Sequence, residues 1–286
     1  MSEGTVQHEP VSVRLLANSP AQRVGSDKSS TGASKRPMVN PLARALALLS
    51  AFSPVDWWLG SRDLVLRTGL PPSTVTRIAQ SLAALGYLHY DIAERKYRLA
   101  APVLSLGYAA ITDSDVQRLA RVRMQAFADQ HKVQVNLSSR ERLDLVVLES
   151  CSGEPSPSSL KLRVGTRVGI ASTPMGWALL AALPELERYY LLENVKRRLP
   201  LDWPRLQRCS SEAMAQLSDR GFCTSQWERA RDPGIVAAPI IFENRSPLVL
   251  ACLGSSSQMT RQRLERELGP RLLAMASSIQ QAGLAE

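Results

Sequence analysis

The stretch that most restricts what this chain can fold into runs from Leu59 to Leu99. Its centre, Pro72 to Leu85, carries Val75, Ile78, Leu82 and Leu85 at spacings of three, four and three, which line one face of a helix. Ser61 is placed to cap a shorter helix reaching Thr68, Asp63 suits that helix's positive end, and Gly69 can close it in the left-handed conformation. Gly69 to Pro71 then form a tight turn, Pro72 opens the second helix and Gly86 ends it. Tyr87 to Tyr90 and Lys96 to Leu99 alternate as two strands about a turn from Asp91 to Arg95. Leu88 and Tyr90 are expected to share a face with Tyr97 and Leu99. Helix, glycine turn, helix, glycine stop and hairpin, in that order, predict a winged helix-turn-helix. Upstream, Leu42, Leu46, Leu49 and Phe52 keep helical spacing and predict the first helix of its core. Trp57 and Trp58 are expected to pack under the domain or against a partner subunit.

The outer face of the second helix carries Ser73, Thr76, Arg77 and Gln80, with Thr74 beside them. Hydroxyls at such positions can reach phosphates and base edges, while Arg can fork onto guanine and Gln onto adenine. A solvated helix face has the same composition. The surrounding elements are what point to double-stranded DNA. On the hairpin, Lys96 and Arg98 fall opposite the apolar face and Arg95 sits at the tip, where a wing meets phosphates or the minor groove. The formal net charge of +9 favours an anionic partner. Residues 41–100 hold seven Lys and Arg against four Asp and Glu, and most of those cations fall on the predicted recognition helix and wing.

The stretches LARALALLSAF, TGLPPSTVTRIAQSLAALGYL and YRLAAPVLSLGYA resemble the DNA-binding domain of the IclR family of bacterial transcription regulators. Pro72 departs from the family's usual basic or polar residue. A proline is tolerated in the first helical turn, so the helix is expected to survive, without a phosphate contact from that position. The resemblance extends from about Val39 to the C-terminus.

Residues 1–39 mix Ser, Gly, Pro, Lys and Arg without periodicity and read as a disordered tail, with Met38 a candidate alternative start. The expected division is a winged helix-turn-helix over 40–100, a helical linker over 101–131 and an effector-binding domain over 132–286. Pro102 is expected to begin one linker helix, and Asp113 or Ser114 to cap another reaching His131. From Val133 the period changes to two. Val133, Val135 and Leu137 alternate with polar residues, Leu143 to Leu148 form a dense apolar run, and the two predict a hairpin. Leu160 to Arg163, Gly221 to Trp227, Ile235 to Ile241 and Leu248 to Leu253 read as further strands. Helices are predicted from Pro174, from Pro184 to Leu192, from Pro204 to Arg220 and at the C-terminus. A sheet interrupted by helices that cover it is α+β. The family resemblance implies a GAF-like α/β fold for this domain and a homodimer or homotetramer, in which two half-sites are read together.

The four cysteines, Cys151, Cys209, Cys223 and Cys252, lack metal-ligand spacing and the three histidines are scattered, so neither metal nor cofactor is expected. No apolar run is long enough to span a membrane and no leader is evident, which predicts a cytoplasmic protein.

Three pieces resemble the family's effector pocket: Ser172, Thr173, Met175 and Gly176 at a helix start; Ser225, Trp227 and Glu228 within Gly221 to Arg229; and the strand of Ile235 and Ala237. In the first, Gly176 would allow close approach and the helix N-terminus would offer N–H groups to a carboxylate. Each piece also reads as ordinary structure: a cap, a strand edge and a core strand. The run VGTRVGIASTPMGWALLAALP is similar to the branch that responds to aromatic acids such as protocatechuate or para-hydroxybenzoate, except that Trp177 stands at that branch's arginine. Arg229 or Arg231 could supply the missing charge. The resemblance implies a small organic carboxylate effector, with aromatic acids among the candidates, acting on a catabolic operon. Two rival readings are an architectural DNA-binding protein whose second domain only dimerises, and an enzyme with Cys223 or Ser172 as nucleophile. Nucleophilic catalysis needs a base in reach, and no histidine follows His131.

Overall fold

The computed structural model describes residues 40–53, 56–112, 115–153, 162–225, 233–243 and 245–284. They form two compact units, 40–112 and 115–284.

The first unit runs α1 (Asn40–Leu49), β1 (Leu59–Gly60), α2 (Ser61–Thr68), α3 (Pro72–Ala84), β2 (Leu88–Asp91), β3 (Lys96–Leu99) and α4 (Ala101–Thr112). Both glycine stops are as expected: Gly69 has φ 67° and Gly86 has φ 78°. At Gly86 the chain makes a Schellman motif, with Tyr87 N–H on Leu82 C=O at 2.8 Å and Gly86 N–H on Ala83 C=O at 3.0 Å. The cap of α2 differs from expectation. Gly60 is the cap residue, and Asp63 accepts its N–H at 2.9 Å from inside the first turn.

The core of this unit gathers Leu48, Leu59, Leu64, Val75, Ala79, Leu82, Leu88 and Tyr97. Two predicted stripes are corrected. In α3 the stripe runs through Ala79, and Leu85, beyond the last turn, is 69% exposed. In α1 it is Leu48 that is buried, while Leu42 and Leu46 stand more than half exposed. Several faces of α1 are apolar, so packing against α3 chooses which one is covered. Neither Trp57 nor Trp58 enters the core. Trp58 instead precedes β1, a short strand absent from the sequence expectation, which pairs with β3 through Leu59 opposite Tyr97 and completes a three-stranded sheet in the order β1-β3-β2.

The second unit runs α5 (Asp115–His131), β4 (Gln134–Glu141), β5 (Asp144–Ser152), β6 (Arg167–Gly169), α6 (Pro174–Ala182), α7 (Glu185–Arg198), α8 (Trp203–Arg220), β7 (Cys223–Thr224), β8 (Gly234–Ile240), β9 (Leu248–Gly254) and α9 (Arg261–Arg263). A π turn over Leu264–Leu268 then leads into α10 (Gly269–Leu284). The strands form one antiparallel sheet in the order β6-β5-β4-β9-β8-β7. Helix α5, assigned to a linker on sequence grounds, belongs to this unit: Ala120, Met124, Phe127 and Ala128 pack with Val133, Val135 and Leu137 of the sheet and with α10. Asp113 and Ser114, the expected caps, lie outside the described residues.

The sheet is covered on both faces. Val135, Leu137, Val236, Ala238, Leu250 and Cys252 turn toward α5 and α10, while Val147, Ile235, Ala237, Ala251 and Leu253 turn toward α6, α7 and α8. The polar half of the β4 alternation is therefore buried as well: Gln134, Asn136 and Ser138 are 3%, 0% and 0% exposed. No strand forms at Leu162. Its N–H and C=O are both taken by the Gln134 amide, at 3.2 and 2.6 Å, in place of a neighbouring strand. One edge strand is β6, reached through a turn at Gly165 with φ 84°, and the other is β7. Among the described residues no helix is long and apolar enough to cross a membrane, and no cluster could hold a metal ion.

Candidate functional site

On α3 the side chains of Ser73, Thr76, Arg77 and Gln80 are exposed along one face, and Thr74 is half-buried behind them. Val75, Ala79 and Leu82 anchor the opposite face, so the polar row is held rigidly outward. Thr76 Oγ1 donates to Pro72 C=O at 3.0 Å, which leaves its lone pairs outward, and Ser81 Oγ donates to Arg77 C=O at 2.9 Å.

The wing is built by cross-strand pairing. Leu88 faces Leu99 and Tyr90 faces Tyr97, on one side, while His89 faces Arg98 and Asp91 faces Lys96, on the other. Tyr90 and Tyr97 rings lie 4.6 Å apart, and Tyr97 is buried. At the tip the Asp91 carboxylate accepts the N–H groups of Ala93 and Glu94 at 2.8 and 3.0 Å, and Arg95 adopts φ 53°. Lys96 meets Glu94 at 3.4 Å in an exposed pair, which is worth little and opens readily. Arg98 is set differently. Its guanidinium lies 5.1 Å from the Trp58 ring centroid, and the same indole meets the His89 ring edge-on at 5.9 Å. The sequence reading missed this cluster because it depends on β1. One basic residue of the segment is committed to structure: Arg67 binds Asp56 at 2.7 Å and Ala51 C=O at 3.0 Å.

In the second unit the expected effector residues divide by role. Met175, Ile235 and Ala237 share the layer between the sheet and α6 to α8. The hydroxyls beside them are engaged. Thr173 Oγ1 accepts Gly176 N–H at 3.1 Å and donates to Gly169 C=O at 3.1 Å, Ser172 Oγ lies 3.4 Å from Gly169 C=O, and Ser225 Oγ accepts Ile235 N–H at 3.0 Å. Of the N–H groups that the start of α6 would otherwise leave free, that of Gly176 is taken by the Thr173 cap, and Pro174 has none. Gly176 is needed for packing, since a Cβ there would stand 1.9 Å from Ile170 C=O. At the departure from the aromatic branch, the buried Trp177 indole donates to Ala171 C=O at 2.8 Å. Trp227, Glu228, Arg229 and Arg231 lie outside the described residues.

The same layer holds polar groups that the sequence reading passed over. Asn136 and Ser138 from β4 and Ser210 from α8 are buried there, and neither atom of the Asn136 amide nor either serine hydroxyl has a hydrogen-bond partner. Of the two nucleophile candidates, Cys223 is held as the neutral thiol. Complete burial pushes the Cys223 thiol up to about 12, and its S–H donates to Pro174 C=O at 3.3 Å.

Residues 41–91 match the IclR helix-turn-helix domain, and residues 108–281 match the bacterial transcriptional regulator IclR C-terminal domain. The chain belongs to the IclR family of transcriptional regulators: its fold pairs a helix-turn-helix unit with an α+β unit, and it is a DNA-binding regulator rather than an enzyme. It is 32% identical to the HTH-type transcriptional regulator TsaQ1/TsaQ2 of Comamonas testosteroni over 246 residues, 85% of this chain and 88% of that protein. The crystal structure of an IclR family regulator from Brucella abortus superposes with a TM-score of 0.75 at 36% identity, covering 87% of this chain and 94% of that one. An IclR homologue from Microbacterium hydrocarbonoxydans, solved with 4-hydroxybenzoate, shares the fold with a TM-score of 0.61 at 21% identity, over 85% of this chain and 100% of that one.

Proposed function

We propose that α3 reads operator DNA in the major groove while the wing grips the backbone, and that a small organic carboxylate, aromatic in character, modulates this binding from the second unit. The observation that carries the DNA role is the outward row Ser73, Thr76, Arg77 and Gln80 on a helix anchored from behind. Arg77 and Gln80 supply base readout, Ser73, Thr74 and Thr76 contact phosphate and base edges, and Arg95, Lys96 and Arg98 hold the backbone. A homodimer or homotetramer presents two such helices to paired half-sites.

The effector reading rests on the buried layer between the sheet and α6 to α8, where Met175, Ile235 and Ala237 form an apolar wall. Ser172, Thr173, Gly176, Ser225, Trp227 and Glu228 are the further residues we assign to the effector. An IclR homologue of the same fold was solved with 4-hydroxybenzoate, which supports an aromatic acid as the effector. Regulation then requires that the acid bind the DNA-competent and incompetent states with different affinity. A salt-titrated gel shift on the DNA upstream of the chain's own gene, with and without aromatic carboxylates, tests both roles. A specific complex that one acid strengthens or dissolves supports the reading. Binding without preference over random competitor overturns operator recognition, and a specific complex that no acid alters leaves the second unit as an oligomerisation module.

A further inference from the structure

Six buried side-chain polar atoms among the described residues lack any hydrogen-bond partner, and three of them belong to two residues of one strand, Asn136 and Ser138. Both are 0% exposed. Leaving a buried amide or hydroxyl unpaired is unfavourable, so their concentration on one strand calls for a partner. Two residues apart on β4, they share the face turned toward α6 to α8, separated by about 7 Å along the strand. Their neighbour Gln134 shows what satisfaction looks like here: its amide is fully used by Leu162 and by Ser150 Oγ at 2.9 Å. Across the sheet Asn136 is flanked in register by Ala251 and Ser150, with Ala237 and Cys223 beyond, so no large strand side chain reaches over its amide. Met175 and Trp177 of α6 belong to the same layer.

The chemistry of these atoms selects a ligand class. Asn136 offers a donor and an acceptor at one point, and Ser138 offers either. A hydroxyl matches them, donating to Asn136 Oδ1 while accepting from Asn136 Nδ2 or Ser138 Oγ. A carboxylate does not match: the next side chain on this face, Arg140, already holds Glu187 at 2.7 Å, and a buried charge without a counter-ion is strongly unfavourable. We propose that Asn136 and Ser138 are the specificity point for a neutral hydroxyl on the effector, distinct from whatever binds its carboxylate, so that the regulator responds to hydroxylated acids over their deoxy analogues. The assignment rests on the effector reading above.

Calorimetry on the full chain with benzoate, meta-hydroxybenzoate and para-hydroxybenzoate tests it. At least one hydroxylated acid is expected to bind about tenfold or more tightly than benzoate, because the analogue lacking the hydroxyl leaves the amide unpaired. Asn136→Leu should bring the preferred hydroxylated acid and benzoate within about twofold of one another, and Ser138→Ala, a smaller change, should reduce the preference in part; a thermal melt reports that each variant is folded. Equal affinity of the wild type for all three acids overturns the assignment and leaves Asn136 bonded to buried water. A hydroxyl preference that survives both substitutions overturns it too. Heat from none of the acids overturns the aromatic-effector reading itself, an outcome distinct from binding without discrimination.

Discussion

The Arg98 guanidinium lies over the Trp58 indole, 5.1 Å from the ring centroid, on the outward face of the wing. Cation–π stacking of this kind holds a long side chain in place without neutralising it, so the charge stays available to a phosphate. Arg98→Ala should therefore weaken binding to every duplex by a similar factor and reduce the salt slope by about one. Trp58→Ala should produce a smaller uniform loss by freeing the guanidinium. Salt-titrated gel shifts that show unchanged slopes for both variants would separate this pair from DNA binding.

Arg77 stands on the exposed row of α3. Its loss should behave differently. Arg77→Ala is expected to cost about 1–3 kcal/mol on the specific site and to relax preference at one base pair, with little effect on random DNA. Competition against single-base operator variants measures this, and a loss shared equally by all sequences would make Arg77 a phosphate contact.

Two glycines end or open helices for different reasons. A Cβ on Gly176 meets Ile170 C=O at 1.9 Å, whereas Gly86 has open space but φ 78°. Gly176→Ala should destabilise the second unit by about 1–3 kcal/mol or more through forced displacement of backbone. Gly86→Ala should cost the first unit about 1–2 kcal/mol through left-handed strain alone. Denaturant melts that resolve the two units distinguish the cases; a Gly176→Ala chain of unaltered stability would mean that the α6 start can shift.

His131, 5% exposed, places Nδ1 at 3.2 Å from Glu267 and Nε2 at 3.4 Å from Arg271. A neutral ring with its proton on Nδ1 satisfies both. Burial first, and then the Arg271 charge, hold its pKa below the usual 6.5 against the pull of Glu267. Near and below pH 6.5 the unfolded chain therefore binds a proton that the native chain does not, and stability falls with pH until the native ring is protonated as well. Measured from pH 7.5 to 5, unfolding free energy should drop less in His131→Gln than in the wild type. Parallel profiles would exclude His131 as the source.

The winged unit was legible because its signals are local. Gly69 and Gly86 stop helices where they stand, and the apolar and polar positions of the hairpin pair as the alternation required. Where several faces qualified, local signals were insufficient: Leu42, Leu46 and Leu85 fit the helical spacing yet remain exposed, because only packing chooses among equivalent apolar faces. In the second unit, Met175, Ile235 and Ala237 share one buried layer, and the hydroxyls named beside them hold backbone groups, pairings that no local spacing shows.

The helix, turn, helix and hairpin order of the first unit, the glycine stops and the outward row Ser73 to Gln80 follow from the sequence alone, since each depends on residues within one or two turns of one another. Tertiary structure decided the rest. It set Trp58 beneath Arg98 by adding a third strand, and it buried Gln134, Asn136 and Ser138 by covering the sheet's second face. An alternating strand reads as half-exposed until a second layer of helices lies over its polar side, and that layer comes from α6 to α8, far along the chain. The unpartnered amide of Asn136 is a consequence of that long-range packing, which no local spacing encodes.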